Sequence, residues 1–303
     1  TLHNAGHILG SSITHLHIGE GLHNLVYTGD YKYGKTMLLE AAATEFPRVE
    51  TIITEGTYGA QGDIMPSRMD TEKKLVSIIN ETLNREGKAL IPVPAVGRAQ
   101  EIMLIVDEYM KKGELQEAPV FIEGMISEAT AIHTTHPEYL SREVRNSILN
   151  EGINPFESDY FTVVEHPSAR GDIIEGEPSI IVATAGMLEG GPIIEYFKQL
   201  APDKRNSIIF VSYQIEGTLG RRVQKGIPEV PMMNAEGKME VIKVNLGVYA
   251  VEGFSGHSDR RQIINYIRKA SPRIENLIIC HGEKTKCMNL ADAFRSKYKI
   301  DAK

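Results

Sequence analysis

The chain has 303 residues, 42% of them hydrophobic and 24% charged, the make-up of ordinary globular material sufficient for one large or two medium domains. A formal net charge of -7 excludes a surface coated in cation for non-specific nucleic-acid binding and leaves room for a local basic groove. No apolar run approaches the roughly 20 residues of a membrane helix and no basic, then apolar leader precedes the first strand, so a cytoplasmic protein with no membrane partner is expected.

Apolar β-type runs alternate with helical patterns along most of the chain. The strand-like runs are SSITHLHI (11–18), NLVYT (24–28), TIITE (51–55), ALIPVPAV (89–96), PVFIEGM (119–125), YFTVVE (160–165), SIIVAT (179–184), SIIFVSY (207–213), VIKVNL (241–246) and NLIICH (276–281). Alternation of this kind reads as α/β layers. Leu75, Ile78, Ile79 and Leu83 fall on one helical face, which predicts a helix capped at Asp70 and stopped at Gly87. Further helices are expected after Arg98, Ser127, Pro192, Asp259 and Lys286, and MLLEAAAT (37–44) is helix-like. KGIPEVPMMNAEGKME (225–240) is the most loop-like segment and a candidate return from a middle domain. Cys280 and Cys287 form neither a CxxC pair nor a disulfide framework, so inert thiols in a reducing compartment are expected.

Gly29 to Thr36, in YTGDYKYGKT, fits the phosphate-loop spacing G-x-x-x-x-G-K-[ST] between a strand-like and a helix-like run, and Glu55 could pass for a second acidic motif. A working phosphate loop lets backbone N–H groups approach the anion. Asp30, Tyr31, Lys32 and Tyr33 would put a carboxylate and two rings beside it instead. The electrostatics argue against nucleotide binding. HLHIGEGLH (15–23) imitates an H-x-H-x-D-H metal motif but lacks the acid. His15 and His17 share one face of a half-exposed hairpin strand. Tyr31, Lys32 and Lys35 read as surface and loop residues.

Several short stretches place an acid or histidine beside glycine or just after a strand: NAGHILGS with His7, YTGDY with Asp30, TIITEGTYG with Glu55, FSGHSD with His257 and LIICHGE with His281. Imidazole and carboxylate are ligand types that zinc accepts, and neighbouring glycines let loops bend so that ligands converge. A plain alternative for Glu55 is a strand-end carboxylate capping GTYG. In this order the stretches resemble the later motifs of the metallo-β-lactamase superfamily, in its β-CASP nucleic-acid-processing branch. IPVPAVGRAQE (91–101), ATAGMLEGGP (183–192) and SYQIEGTLGRR (212–222) are similar to the β-CASP core of archaeal relatives of the cleavage and polyadenylation specificity factor nuclease.

The resemblance implies an α/β fold: a partial metallo-β-lactamase αββα domain in segments 1–58 and 249–303, with a β-CASP α/β domain inserted over 59–248. It implies zinc-dependent ribonuclease activity of the mRNA 3'-end processing type, with RNA as partner. His7 would ligate one zinc, Asp30 would bridge two, and His281 would complete the second site. An aspartate shared by two metals suits a centre that acidifies a water. His257 would face the scissile phosphate as general acid, its unperturbed pKa being about 6.5. Glu55 would hold the other ring N–H. Arg98, Thr184 and Ser255 would line the RNA path; Arg98 and Arg221, in glycine-containing loops after strands, could hold a phosphate bidentately, with a solvated face the equal alternative for Arg221 and Arg222. A homodimer is also implied.

H-x-H-x-D-H does not occur in the chain, and in relatives it precedes the His7 motif. Thr1 begins without methionine just before a strand-like segment. A fragment is therefore expected, metal-poor and weakly active alone, with an incomplete zinc site and an open apolar sheet edge. Two other readings stay open: a non-catalytic RNA-binding scaffold, and a DNA-directed β-CASP nuclease, separable by discrimination at the 2'-OH.

Overall fold

The computed structural model describes residues 1–234, 237–270 and 274–303. The chain divides into two units, one made of residues 1–65, 138–142 and 256–303, the other of 66–137 and 143–255. The first opens with strands β1 (Leu2–Asn4), β2 (Ser12–Ile18), β3 (His23–Tyr27) and β4 (Thr51–Glu55). The second follows with α1 (Arg68–Asn84), β5 (Ala89–Pro92), α2 (Arg98–Lys111), β6 (Val120–Glu123), α3 (Ile126–Thr135), α4 (Arg142–Asn146), β7 (Phe161–Val163), α5 (Arg170–Glu175), β8 (Ile180–Ala183), α6 (Ile193–Leu200), β9 (Ser207–Phe210), α7 (Leu219–Gln224), β10 (Glu229–Met233), β11 (Met239–Lys243) and β12 (Gly247–Ala250). The chain then returns to the first unit with α8 (Arg260–Ala270), β13 (Asn276–Cys280), α9 (Lys284–Ala293) and β14 (Asp301–Ala302).

The first unit is built on a six-stranded sheet in the order β1-β2-β3-β4-β13-β14. The hairpin strands β1, β2 and β3 run antiparallel, whereas β3, β4, β13 and β14 are parallel neighbours. Ile13, Val26, Ile52, Leu277 and Ile279 alternate onto one face and meet Ile263, Tyr266 and Ile267 of α8 and Leu290 of α9. Period-two alternation puts every second strand residue on that face. On the opposite face Leu2, Leu16, Ile18, Tyr27 and Ile278 are exposed, and register joins them through Thr14 and Ile53. Apolar exposure here is thus spread over part of a sheet face and is not confined to an edge.

The second unit carries an all-parallel sheet in the order β12-β9-β5-β8-β6-β7. Strands β5, β8 and β9 are buried throughout, as parallel strands covered on both faces must be. Their core includes Leu90, Ile181, Tyr196, Phe197, Ile208 and Phe210.

Several sequence expectations need correction. Ser67, not Asp70, caps α1: its side chain accepts from the Asp70 N–H, and the C-cap is Arg85, two residues before Gly87. Residues 37–44 form neither helix nor strand, although Leu38, Leu39 and Ala42 are buried. The loop-like 225–240 holds β10 and pairs it with β11, Val230 and Met232 facing inward and Pro231 outward. Its residues 235 and 236 lie outside the described ones, and its described residues belong to the second unit.

Candidate metal centre

Three parallel neighbours end at one place. Asp30 follows β3 through Gly29, whose φ is 55°; Glu55 is the last residue of β4; His281 follows β13. Glu55 and Cys280 are register partners across β4 and β13, so the residues beyond them emerge side by side. Carboxyl ends of parallel strands are where open α/β sheets place their sites. The loops approach closely: a Cβ on Gly282 would stand 2.5 Å from the Gly56 carbonyl oxygen. Only glycine fits that approach. His281 itself takes φ of 49°, a left-handed conformation uncommon for a residue with a Cβ.

His7 and His257 arrive from the other side of the same unit. The His7 loop is tied by Ser11, whose Oγ accepts the N–H groups of His7 and Ile8 at 3.2 Å each. His257 stands three residues before the start of α8 at Arg260, which Asp259 caps by accepting the Gln262 N–H at 2.7 Å. Ser258 donates its N–H to the Tyr31 carbonyl at 3.0 Å, and its Oγ accepts the Tyr33 N–H at 2.8 Å. The run from Asp30 to Tyr33 is thereby stitched to the start of α8.

Glu55, 1% exposed, accepts the Tyr31 N–H at 3.0 Å with one oxygen and faces His257 Nδ1 at 2.8 Å with the other. It does not cap the glycine turn: Gly56 donates to the Cys280 carbonyl and Gly59 to the Gly56 carbonyl. His7 Nδ1 lies 2.9 Å from the Gly256 carbonyl oxygen, which can only accept, so Nδ1 carries the proton and Nε2 the lone pair. That second bond is the one that metal-binding histidines characteristically make. His281 Nδ1 pairs with Asp30 Oδ1 at 2.9 Å. The His7 and His257 ring centroids are 4.7 Å apart, and His257 stacks with His281 at 6.2 Å.

Among the described residues two groups of three place one ligand atom each within 4.8 Å of one another: His7, Asp30 and His257, and Asp30, Glu55 and His281. Asp30 belongs to both. Imidazole nitrogens and carboxylate oxygens around one shared aspartate are a donor set that suits zinc.

The neighbouring imidazoles are driven in opposite directions. Burial lowers the pKa of His7, with only partial relief from its bond to Gly256, and so favours the neutral ring that a metal requires. Burial also pulls on His257, but the hydrogen bond and charge of Glu55, with the charge of Asp30, outweigh it and leave its pKa raised. Environments that push adjacent titratable groups apart assign them different roles. Burial raises the thiol pKa values of Cys280 and Cys287, in keeping with unreactive cysteines.

Tyr31 and Lys32 are not surface residues. Tyr31 is fully buried in the core, its hydroxyl pKa pushed well up by burial, and Lys32 is buried with its Nζ 2.9 Å from the His257 carbonyl oxygen. Lys35 pairs with Glu40 at 3.4 Å on the surface. His15 is buried and bonds the Arg48 carbonyl through Nε2, and His17 faces Asn24. The helix expected after Asp259 begins at Arg260, and Ser258, not singled out from the sequence, ties its start to the Tyr31–Tyr33 run.

Arg98, Thr184 and Ser255 lie in the second unit. Arg98 is the first residue of α2, after Gly97 with φ of 80°, and is buried. Thr184 follows β8, donating its N–H to the Glu123 carbonyl and accepting from the Ile193 N–H. Ser255 is half-buried. Arg221 lies in α7, where it bonds Gln224 and pairs with Glu216.

Residues 99–223 match the family model for the Beta-Casp domain, and 241–303 match that for the Zn-dependent metallo-hydrolase RNA specificity domain. The chain is 56% identical over 304 residues to the transcription termination factor FttA of Pyrococcus abyssi, covering 100% of this chain and 47% of that protein. It is 55% identical to FttA of Cenarchaeum symbiosum, covering 99% and 47%, and 50% identical to that of Methanosarcina mazei, covering 100% and 48%. The chain therefore spans about half the length of these relatives.

Proposed function

Because the chain belongs to the β-CASP branch of the metallo-β-lactamase superfamily, we propose that the whole protein is a zinc-dependent phosphodiesterase that cleaves RNA in connection with transcription termination. The observation that carries this reading is Asp30, shared by two groups of candidate ligands that also include the buried Glu55 and its half-buried partner His257. In this reading His7, Asp30 and His281 hold metal, with ligands from the rest of the protein. Zinc bound there supplies Lewis acidity and a water acidified toward neutral pH.

The chain's own residues supply the remainder. His257, its pKa raised, carries a proton to the leaving oxygen as the phosphodiester breaks. Glu55 accepts from Nδ1, fixes the ring's orientation and stabilises its cationic form. His7 stays neutral, its Nδ1 proton committed to Gly256. Arg98, Thr184 and Ser255 contact the RNA backbone, a role suited to contacts that position without reading sequence. The reading includes a cytoplasmic location and a homodimer.

The test is cleavage of labelled single-stranded RNA by the intact natural protein, with metal content measured on the same sample. Cleavage that disappears on chelation and returns with zinc is expected. Tight RNA binding without cleavage by fully zinc-loaded protein would reject the enzyme in favour of a scaffold.

A further inference from the structure

The stretch that imitates a phosphate loop contains a residue that the metal reading leaves unused. Lys32, two positions beyond Asp30, is only 6% exposed. A buried ammonium is retained where its donors are matched to acceptors. Its Nζ donates to the backbone carbonyl of His257 at 2.9 Å and lies 3.9 Å from Met65 Sδ. A charge-assisted bond of this kind is stronger than a neutral one.

The backbone of the same residue holds a second ligand loop. Lys32 N–H donates to the Ala5 carbonyl at 2.9 Å, and its carbonyl accepts the Ala42 N–H at 2.8 Å. Ala5 leads through Gly6 to His7. A Cβ on Gly6 would stand 2.9 Å from the Lys32 carbonyl oxygen, so the two segments are in close register. On either side, Tyr31 and Tyr33 bond Ser258, the residue after His257.

We propose that Lys32 is a positioning residue for His257: its buried ammonium fixes the His257 peptide, and with it the direction in which the imidazole is presented to Glu55. The proposal rests on the reading of His257 as proton donor, and its test separates the two.

In the intact natural protein, Lys32→Met keeps the stem and removes the donors, whereas Lys32→Arg restores them. Zinc content, thermal stability, kcat and KM on single-stranded RNA, and the 15N-resolved Nδ1–H signal of His257 are measured on each. Lys32→Met is expected to keep zinc, to lose about 10- to 100-fold in kcat through misplacement, and to keep KM within about twofold. The His257 Nδ1–H signal weakens or moves, and Lys32→Arg recovers both kcat and signal. Wild-type kcat with an unchanged signal in Lys32→Met overturns the proposal, as does loss of zinc in parallel with kcat, which marks a general structural role.

If Lys32→Met fails to fold, Lys32→Leu, which also removes the donors, takes its place and is judged by the same readouts against Lys32→Arg. If the wild-type protein cleaves no RNA, the enzymatic reading fails. The His257 signal alone then decides: altered in Met and restored in Arg supports Lys32, and unaltered in Met overturns it.

Discussion

The two units each bury a carboxylate at the end of a parallel strand and use it differently. In the second unit Glu123 closes β6 and takes the Arg170 guanidinium, with Nε at 2.9 and 3.1 Å from its oxygens, plus the Tyr196 hydroxyl at 2.7 Å. A fixed cation and a phenol saturate it, and burial with Glu123 pushes the Tyr196 pKa upward so that the phenol stays protonated. In the first unit Glu55 closes β4 and meets one backbone N–H and one imidazole. Arginine does not exchange its proton near neutral pH, and histidine does. A buried acid paired to the first is architecture; paired to the second, beside further imidazoles and a second carboxylate, it is, in the proposed reading, equipment for proton transfer.

The contrast breaks first at Asp30. Asp30→Ala in the intact protein removes the one ligand common to both groups. Metal analysis after dialysis is expected to show loss of zinc, and RNA cleavage should fall to background. Retention of the full metal content would end the shared-ligand role. His257→Ala sharpens the same point, because it should keep zinc and RNA affinity while cleavage falls by about 10²- to 10⁴-fold, the range for a general acid. Cleavage at the wild-type rate would remove His257 from the chemistry.

Glu123→Ala probes the architectural acid. It leaves the Arg170 side chain, 21% exposed, without its partner, a change expected to cost about 3 kcal/mol or more of stability. Thermal unfolding should register this in a protein that still binds zinc normally. Lost metal with unchanged stability would invert the comparison.

The strands of both sheets were largely legible, because runs such as SIIVAT and NLIICH are apolar, β-branched and bounded by loop residues. The failures came where partners far along the chain decided. Residues 37–44 carry helix-forming leucines and alanines, yet Ala42 donates to the Lys32 carbonyl, Ala43 to the Asn4 carbonyl and Leu39 to Thr36 Oγ1. Those bonds satisfy the backbone without a helix. The hairpin strand β10 was hidden by Pro231, tolerated because it faces outward in a two-stranded ribbon. At the candidate site, strand-end acids and histidines could be picked out as residue types. The Glu55–His257 bond spans 202 positions and could not be read from spacing. The burial of Lys32 is hidden from the sequence for the same reason, since it depends on the return of the chain at His257 and Ser258, just before α8.

The smallest effect concerns a histidine of the second unit whose titration is set by burial and not by a neighbouring acid. His133 on α3 is 1% exposed, its Nδ1 bonds the Ala129 carbonyl at 2.7 Å, and its buried Nε2 has no hydrogen-bond partner among the described residues. Burial lowers its pKa, and the bond to Ala129 offsets this only in part. The unfolded chain takes up a proton at about 6.5, whereas the folded chain resists until the pH is lower. Stability contributed by the neutral ring is therefore fully present above the unfolded value and declines as pH falls toward the folded one. His257 has the opposite sign: its raised pKa makes the contribution from its Glu55 contact complete below the unfolded value and lost as pH rises through the folded one. His133→Leu should thus flatten the fall in melting temperature between neutral and mildly acidic pH relative to wild type. An unaltered slope would mean that the ring finds a partner for its second proton, and the contrast between a histidine held by an acid and one held by apolar surroundings would lose its second member.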